Sequence, residues 1–342
     1  MKIYVDAYLA KNLGDDLFIN ILTTRYPEHK FYAISKGEKG YNTKNFKVYS
    51  NMYIFKILKK FQWEKYLANH YDTVVTIGGS MFMERGDTNR DFSMGKNKRY
   101  VLGINFGPYK TQEYYNNIHN MLSNVEDVCF RDRYSASLFS DVSNVRYAPD
   151  ILFNVELPKV VRRKKLFISV VDLNQVNKFK NLSKKRLAYD QLIMKYIRKY
   201  DHLGYDIVLC SFSRPEGDEY AVRRLMQCAK SERIAVRTLY YWNNIQEVLT
   251  ELASSNTVIG TRFHAVILGL LAGAEVLPIM YSNKTGYVLD DLGFDMAHAI
   301  DLKSENWMHY GHKLPNPIAW NVSSSVVASA EQFSALDTFL GE

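Results

Sequence analysis

The stretch that most constrains this chain runs from Thr257 to Gly293, TVIGTRFHAVILGLLAGAEVLPIMYSNKTGYVLDDLG. A β-branched run, Thr257 to Ile259, passes through Gly260 and brings Arg262 and His264 to the point where a helix begins. From His264 to Leu271 almost every side chain is apolar, which predicts a helix buried against a sheet. A second apolar run, Glu275 to Tyr281, follows Gly273 and leads to Lys284. Strand, charged turn, buried helix and strand make a βαβ unit. Such units take ligands at the carboxyl ends of their strands, beside helix N-termini. Arg262, His264 and Lys284 all fall at that edge. An arginine fork, an imidazole, a lysine and helical N–H groups suit a ligand bearing phosphate and carboxylate. The alternative is that Arg262 and His264 only cap and solvate a turn. Polar residues set tight against a buried apolar run favour the site.

The remainder of the chain excludes several other classes. At 342 residues, nearly half of them apolar, it suits two domains of about 150 residues, each with its own core. The opening MKIYVDAYLA reads as a short strand rather than a signal peptide. No apolar run reaches the roughly 18 residues of a membrane span. Cys129, Cys210 and Cys228 are widely spaced, which fits a reducing cytosol and no zinc site. The eight histidines show no metal-ligand spacing, so no metal and no bound cofactor are expected. A net charge of +8 raises a nucleic-acid reading, but the basic residues are scattered and no nucleic-acid module is present. Small anionic substrates, or an anionic membrane face, account for that charge equally well. There is no GxSxG elbow, Walker A loop or GxGxxG fingerprint.

The first half alternates strand and helix. Lys2 to Tyr8 reads as a strand, and NLGDDLF turns the chain into a helix ending near Tyr26. Asn12, Gly14, Asp15 and Asp16 occupy that first turn. Asp15 and Asp16 there either cap the helix or serve as a base on a substrate hydroxyl. The amphipathic run Tyr53 to Asn69, with Lys56, Lys59, Lys60 and Lys65, is expected as a surface helix, with peripheral membrane contact left open. A buried strand, Tyr71 to Gly79, ends on Gly78 and Gly79, where backbone can approach a ligand and Ser80 offers a hydroxyl. Glu84 to Lys98 lacks periodicity and is expected as a mobile loop beside the cleft. Asp127 to Phe130 is a strand ending at Arg131, a second basic position on the plan of Arg262, with Arg133 a further candidate.

The first domain is expected over 1–155, and 155–165 reads as a linker rich in charge. Alternation resumes over 166–305, the second α/β domain. Residues 306–342 are expected as a tail, helical in part.

The string VIGTRFHAVILGLLAG with the later YSNK and DDLG resembles the polysaccharide pyruvyl transferase family. So do NLGDDLFI, IGGSMF, RDRYSASLF and YAPDILF, in order over residues 1 to 295. The resemblance implies two Rossmann-like domains facing across a cleft, similar to GT-B glycosyltransferases. It implies phosphoenolpyruvate as co-substrate and transfer of pyruvate to a sugar as a ketal, in surface or exopolysaccharide synthesis. It makes Arg131 the family's arginine and tilts Asn12 and Asp15 toward the site. Arg131, Arg262, His264 and Lys284 are then donor ligands, with His264, Arg262 and Asp15 catalytic. Asn12, Asp16, Gly78, Gly79 and Ser80 fall on the acceptor side of the cleft. The acceptor is a sugar, its lipid linkage open, and the expected location is the cytosol or the inner membrane face. A GT-B glycosyltransferase using a nucleotide sugar is the rival reading, and a catalytically silent sugar- or membrane-binding protein is a third.

Overall fold

The computed structural model describes residues 1–35, 43–50, 70–84, 98–174, 182–309 and 314–342. The expected helix over 53–69, and all of the expected loop Glu84–Lys98 but its two end residues, lie outside the described residues. The chain divides into two compact units. The first comprises Met1–Ala10, Asp15–Val155 and Ser324–Glu342, and the second Lys11–Gly14 and Glu156–Ser323.

Among the described residues of the first unit, seven strands form one sheet in the order β3-β2-β1-β4-β5-β6-β7. They are β1 Lys2–Asp6, β2 Lys30–Ser35, β3 Phe46–Ser50, β4 Thr73–Ile77, β5 Arg99–Ile104, β6 Asp127–Phe130 and β7 Val145–Tyr147. Every pairing is parallel. All residues of β4, β5 and β6 are buried, the mark of strands covered on both faces. Among the described residues its α-helices are α1 (Leu13–Arg25), which opens in the Lys11–Gly14 segment, α2 (Gln112–Leu122), the short α3 (Arg133–Ser137) and, from the C-terminal segment, Ser323–Ser329 and Ser334–Leu340.

The second sheet runs β10-β9-β8-β11-β12-β13, again all parallel. Its strands are β8 Arg163–Ser169, β9 Asp206–Ser211, β10 Arg237–Tyr240, β11 Ser255–Gly260, β12 Glu275–Met280 and β13 Ile300–Asp301. Between them lie α4 (Arg186–His202), α5 (Asp218–Ser231), α6 (Ile245–Ala253), α7 (Phe263–Leu271) and α8 (Asn283–Asp291). In both sheets strand order reverses once, between β1 and β4 and between β8 and β11. Those two reversals are where a doubly wound sheet opens a crevice at its carboxyl edge. This is the two-domain, Rossmann-like and GT-B-like class.

Three local expectations need correction. The strand β8 begins at Arg163, inside the stretch read as linker. Its Lys165 is buried because Glu251 and the Ser254 hydroxyl, each 2.7 Å away, accept its ammonium protons. Residues 306–342 are not a tail of their own, since Ser324–Glu342 packs into the first unit. Asn12 belongs with the second unit rather than with the first half.

Candidate functional site

At the carboxyl edge of the first sheet, β4 ends on Gly78, Gly79 and Ser80. Gly78 has φ +140°, a conformation that other residues rarely adopt. A Cβ at Gly79 would overlap the Arg131 guanidinium, so glycine lets that arginine lie beneath the turn. Arg131 follows β6, and only 1% of it is exposed. Its Nη1 reaches Asp150 Oδ2 at 3.2 Å and its Nη2 donates to Asn105 Oδ1 at 2.6 Å. Ser80 Oγ donates to the same Asn105 oxygen at 3.3 Å. Burial pushes the Asp150 carboxyl up, and the Arg131 charge opposes it. Arg131 therefore faces inward, where it ties three strand ends together. Asp15 and Asp16 stand in the first turn of α1, Asp15 half-buried and Asp16 fully buried.

At the carboxyl edge of the second sheet, Arg262 stands at the β8/β11 reversal. Its backbone N–H donates to Ser169 Oγ at 3.2 Å, and Thr261 N–H donates to Ser169 O at 3.1 Å. The guanidinium Nε donates to Asp218 Oδ2 at 2.9 Å. Nη2 donates to Asp218 Oδ1, and Nη1 to Glu216. Asp218 also accepts from the N–H groups of Phe212 and Ser213, at 3.1 and 3.0 Å. Burial pushes the Asp218 carboxyl up, and the Arg262 charge pulls it back. Burial likewise lifts the neighbouring Tyr281 hydroxyl to about 12. The arginine fork that sequence assigned to a ligand is thus engaged by two of the protein's own carboxylates.

His264, half-buried in the first turn of α7, is positioned differently. Its ring lies so close over Gly14 that a Cβ there would overlap it. The Lys11–Gly14 segment is fastened to β9 by Leu13 N–H donating to Phe212 O at 3.1 Å and by a bridge from Asn12 to Ser213. Asn12 Oδ1 accepts from Gly14 N–H at 3.1 Å, which fixes the turn. Lys284 sits in the first turn of α8, with its Nζ 5.9 Å from the Tyr281 ring centroid. Within the second unit the structure brings together Asn12, Arg262, His264 and Lys284. The N-caps of α7 and α8, Arg262 and Ser282, give their helices no side-chain cap. Both helices start at the ends of adjacent strands, β11 and β12.

Asp218, Glu216, Asn105 and Asp150 are the members that sequence reasoning missed as partners. In sequence Asp218 looks no different from any acid in the first turn of a helix. Among the described residues no group of three or more His, Cys, Asp or Glu is arranged to hold a metal ion. None of the described helices is long and apolar enough to cross a membrane.

By strand order and by likeness to solved structures, the chain has the fold of GT-B-like enzymes. It is similar to Anabaena HepE in complex with UDP and glucose, at 11% identity and a TM-score of 0.55, over 99% of this chain and 98% of that one. It is also similar to the UDP-GlcNAc 2-epimerase of Methanocaldococcus jannaschii, at 11% identity and a TM-score of 0.55, over 99% of this chain and all of that one (100%). At such identities the likeness is one of fold. No relative matches among curated proteins. The sequence profile of polysaccharide pyruvyl transferases matches residues 12–283, and the chain belongs to that family.

Proposed function

We propose that this polysaccharide pyruvyl transferase uses phosphoenolpyruvate as donor and forms a cyclic ketal on two hydroxyls of a sugar. The observation that carries the reading is the family match over 12–283, which spans every candidate residue except Lys284. The chemistry sets the demands. A proton adds to the methylene carbon of the donor, leaving an oxocarbenium-like C2. One sugar hydroxyl attacks C2, the C–O bond to phosphate breaks, and the second hydroxyl closes the ketal. Of the two hydroxyl protons, one balances the new methyl group and the other leaves on hydrogen phosphate.

Three negative charges on the donor call for fixed positive potential. The uncapped starts of α7 and α8 supply oriented N–H groups, and Lys284 supplies a cation. His264, whose ring lies over Gly14, is suited to move a proton at the donor carbon or the leaving phosphate. Arg262, bound to Asp218 and Glu216, acts as a positioning residue that fixes the turn from which His264 projects. In the first unit, Gly78, Gly79 and Ser80 form the turn set aside for the acceptor, with Asp15 as its base. Asp16 is fully buried, and its role is to support that helix turn. A saccharide acceptor, free or lipid-linked, fits the family.

The test is incubation of the purified chain with phosphoenolpyruvate and candidate saccharides, following phosphate release and the ketal methyl resonance by NMR. Acceptor-dependent phosphate release with a new ketal signal is expected. Phosphoenolpyruvate left intact while a nucleotide sugar is consumed would overturn the reading.

A further inference from the structure

The amino edge of the second sheet, where its strands begin, carries a mixed basic and aliphatic face that the ligand edge does not explain. Val160 and Val161 are exposed, Val161 to 81%, and lead through Arg162 and Arg163 into β8. Arg162 lies across this edge and donates to the carbonyl of Gly273, just before β12. Lys164 alternates with the buried Lys165, and its Nζ lies 5.5 Å from the ring centroid of Tyr205, next to the start of β9. Leu203, which ends α4 at the same edge, is 48% exposed. On the far side of β9, Met226, Lys230, Arg233, Ile234 and Val236 line an open cavity of about 290 Å³ between α5 and β10. Arg233 takes the left-handed position that follows α5, with φ +60°, where glycine is usual.

The acids of this edge leave the basic charge in excess. Asp206 and Glu251 accept from Arg237 at 2.7 and 3.1 Å, and Glu232 accepts from Arg198 at 2.6 Å. Arg162, Arg163, Lys164, Lys230 and Arg233 are all exposed, and among the described residues none of them stands in an ion pair. Asp201 and Glu275 are the acids there that oppose them. Exposed cations set among exposed aliphatic side chains match the surface of an anionic bilayer. Headgroup phosphates take the cations, and the aliphatic side chains enter the boundary with the acyl chains. A nucleic-acid backbone would use the cations and leave Val161 and Leu203 in water.

We infer that the amino edge of the second sheet, with Arg162, Arg163, Lys164, Lys230 and Arg233 beside Val160, Val161 and Leu203, docks on an anionic lipid bilayer. Arg262, His264 and Lys284 lie at the opposite edge of the same sheet. The helix α4, which runs between the two edges, has 17 residues and so spans about 25 Å. The docking face is therefore separate from the donor residues, and the inference does not depend on the transfer reading.

Sedimentation of the full chain with vesicles tests it. Phosphatidylcholine vesicles holding about 30% phosphatidylserine should bind at least about tenfold more tightly than phosphatidylcholine alone, and salt raised from about 0.1 to 0.5 M should remove most of that gain. Arg162→Gln, Arg163→Gln and Lys164→Gln together should weaken binding to the anionic vesicles by about tenfold or more. Val161→Ser with Leu203→Ser should weaken it about fivefold with every charge in place. Thermal melting of both variants should match the parent, because the side chains removed are exposed. A charge-matched control in the first unit, Lys30→Gln with Lys47→Gln and Lys110→Gln, should bind as the parent does. No preference for anionic vesicles, or an equal loss in that control, would overturn the inference. So would unchanged binding in either of the first two variants. Duplex DNA that strips the chain from vesicles at equal phosphate would assign the face to nucleic acid instead.

Discussion

At the scale of single residues, two side chains that look alike in sequence do different work. Arg262 has its fork closed by Asp218 and Glu216, so its worth lies in what it holds. Removing one member of a buried ion pair typically costs about 3–5 kcal/mol, because a buried charge loses its partner. Asp218→Ala is expected to lose stability on that scale in urea denaturation, reduced by whatever Glu216 still offsets. A loss under about 1 kcal/mol, the range of exposed pairs, would show that the pair is solvated instead. His264 makes the opposite case, since it lies over a glycine and its position depends on the absence of a methyl group. Gly14 has no positive φ, so alanine suits its backbone, and the nearest atoms that its methyl group would meet are those of the ring. Gly14→Ala is therefore expected to lower turnover toward the loss seen in His264→Gln, about 10²–10⁴-fold for a general acid or base. Circular dichroism should stay native-like in both variants. Full turnover in Gly14→Ala with the histidine still essential would mean that the ring does not need this position.

At the scale of elements, the first sheet carries an irregularity that a distant segment repairs. The β5–β6 register shifts between Leu102 and Ile104, and Gly103 between them has φ +66°. Its N–H leaves the ladder and donates instead to Gln332 Oε1 at 2.9 Å. The Gln332 amide nitrogen donates to the carbonyls of Ala148 at 2.7 Å, Pro149 at 3.1 Å and Phe130 at 3.3 Å. Gln332→Leu keeps the volume and leaves those groups without that partner, at about 1–3 kcal/mol for each one not rescued by water. Hydrogen exchange at Gly103 should accelerate, and an unchanged rate would remove Gln332 from this role. This contact also shows where sequence stops being legible. The strands 73–77, 257–259 and 275–280 could be read because burial on both faces writes them as continuous apolar runs. The positions of Arg131, Arg262, His264 and Lys284 followed from strand ends. Gln332 could not be read, because its partner Gly103 is 229 residues away and neither residue signals the other. The partners of Arg131 and Arg262 were hidden for the same reason, and Arg163 to Lys165 read as linker because a charged strand start carries no apolar signature.

At the scale of the whole molecule, the chain enters and leaves each unit more than once. The first unit is built from three separate segments and the second from two. Cutting once at the 155/156 boundary thus yields neither unit complete. The fragment 1–155 would lack Asp337, which accepts from Arg25 Nε at 2.9 Å and from the Tyr26 hydroxyl at 2.7 Å. It would lack Gln332, and Phe339 against Tyr100 at 5.4 Å between ring centroids. Phe333 and Leu336, both fully buried, would leave apolar surface bare. Burial of side chains of this size is worth roughly 1.5–3 kcal/mol each, a large share of a domain's total of about 5–15 kcal/mol. The fragment 1–155 is accordingly expected to unfold without a cooperative transition. The same fragment joined to 324–342 through a Gly/Ser linker of about ten residues should recover one. The join is geometrically easy, because Asn154 Nδ2 lies 3.0 Å from Ser329 Oγ. Guanidinium denaturation followed by far-UV circular dichroism distinguishes the two fragments. An equally sharp transition at the same midpoint in both would show that the last 19 residues only decorate a unit that folds without them.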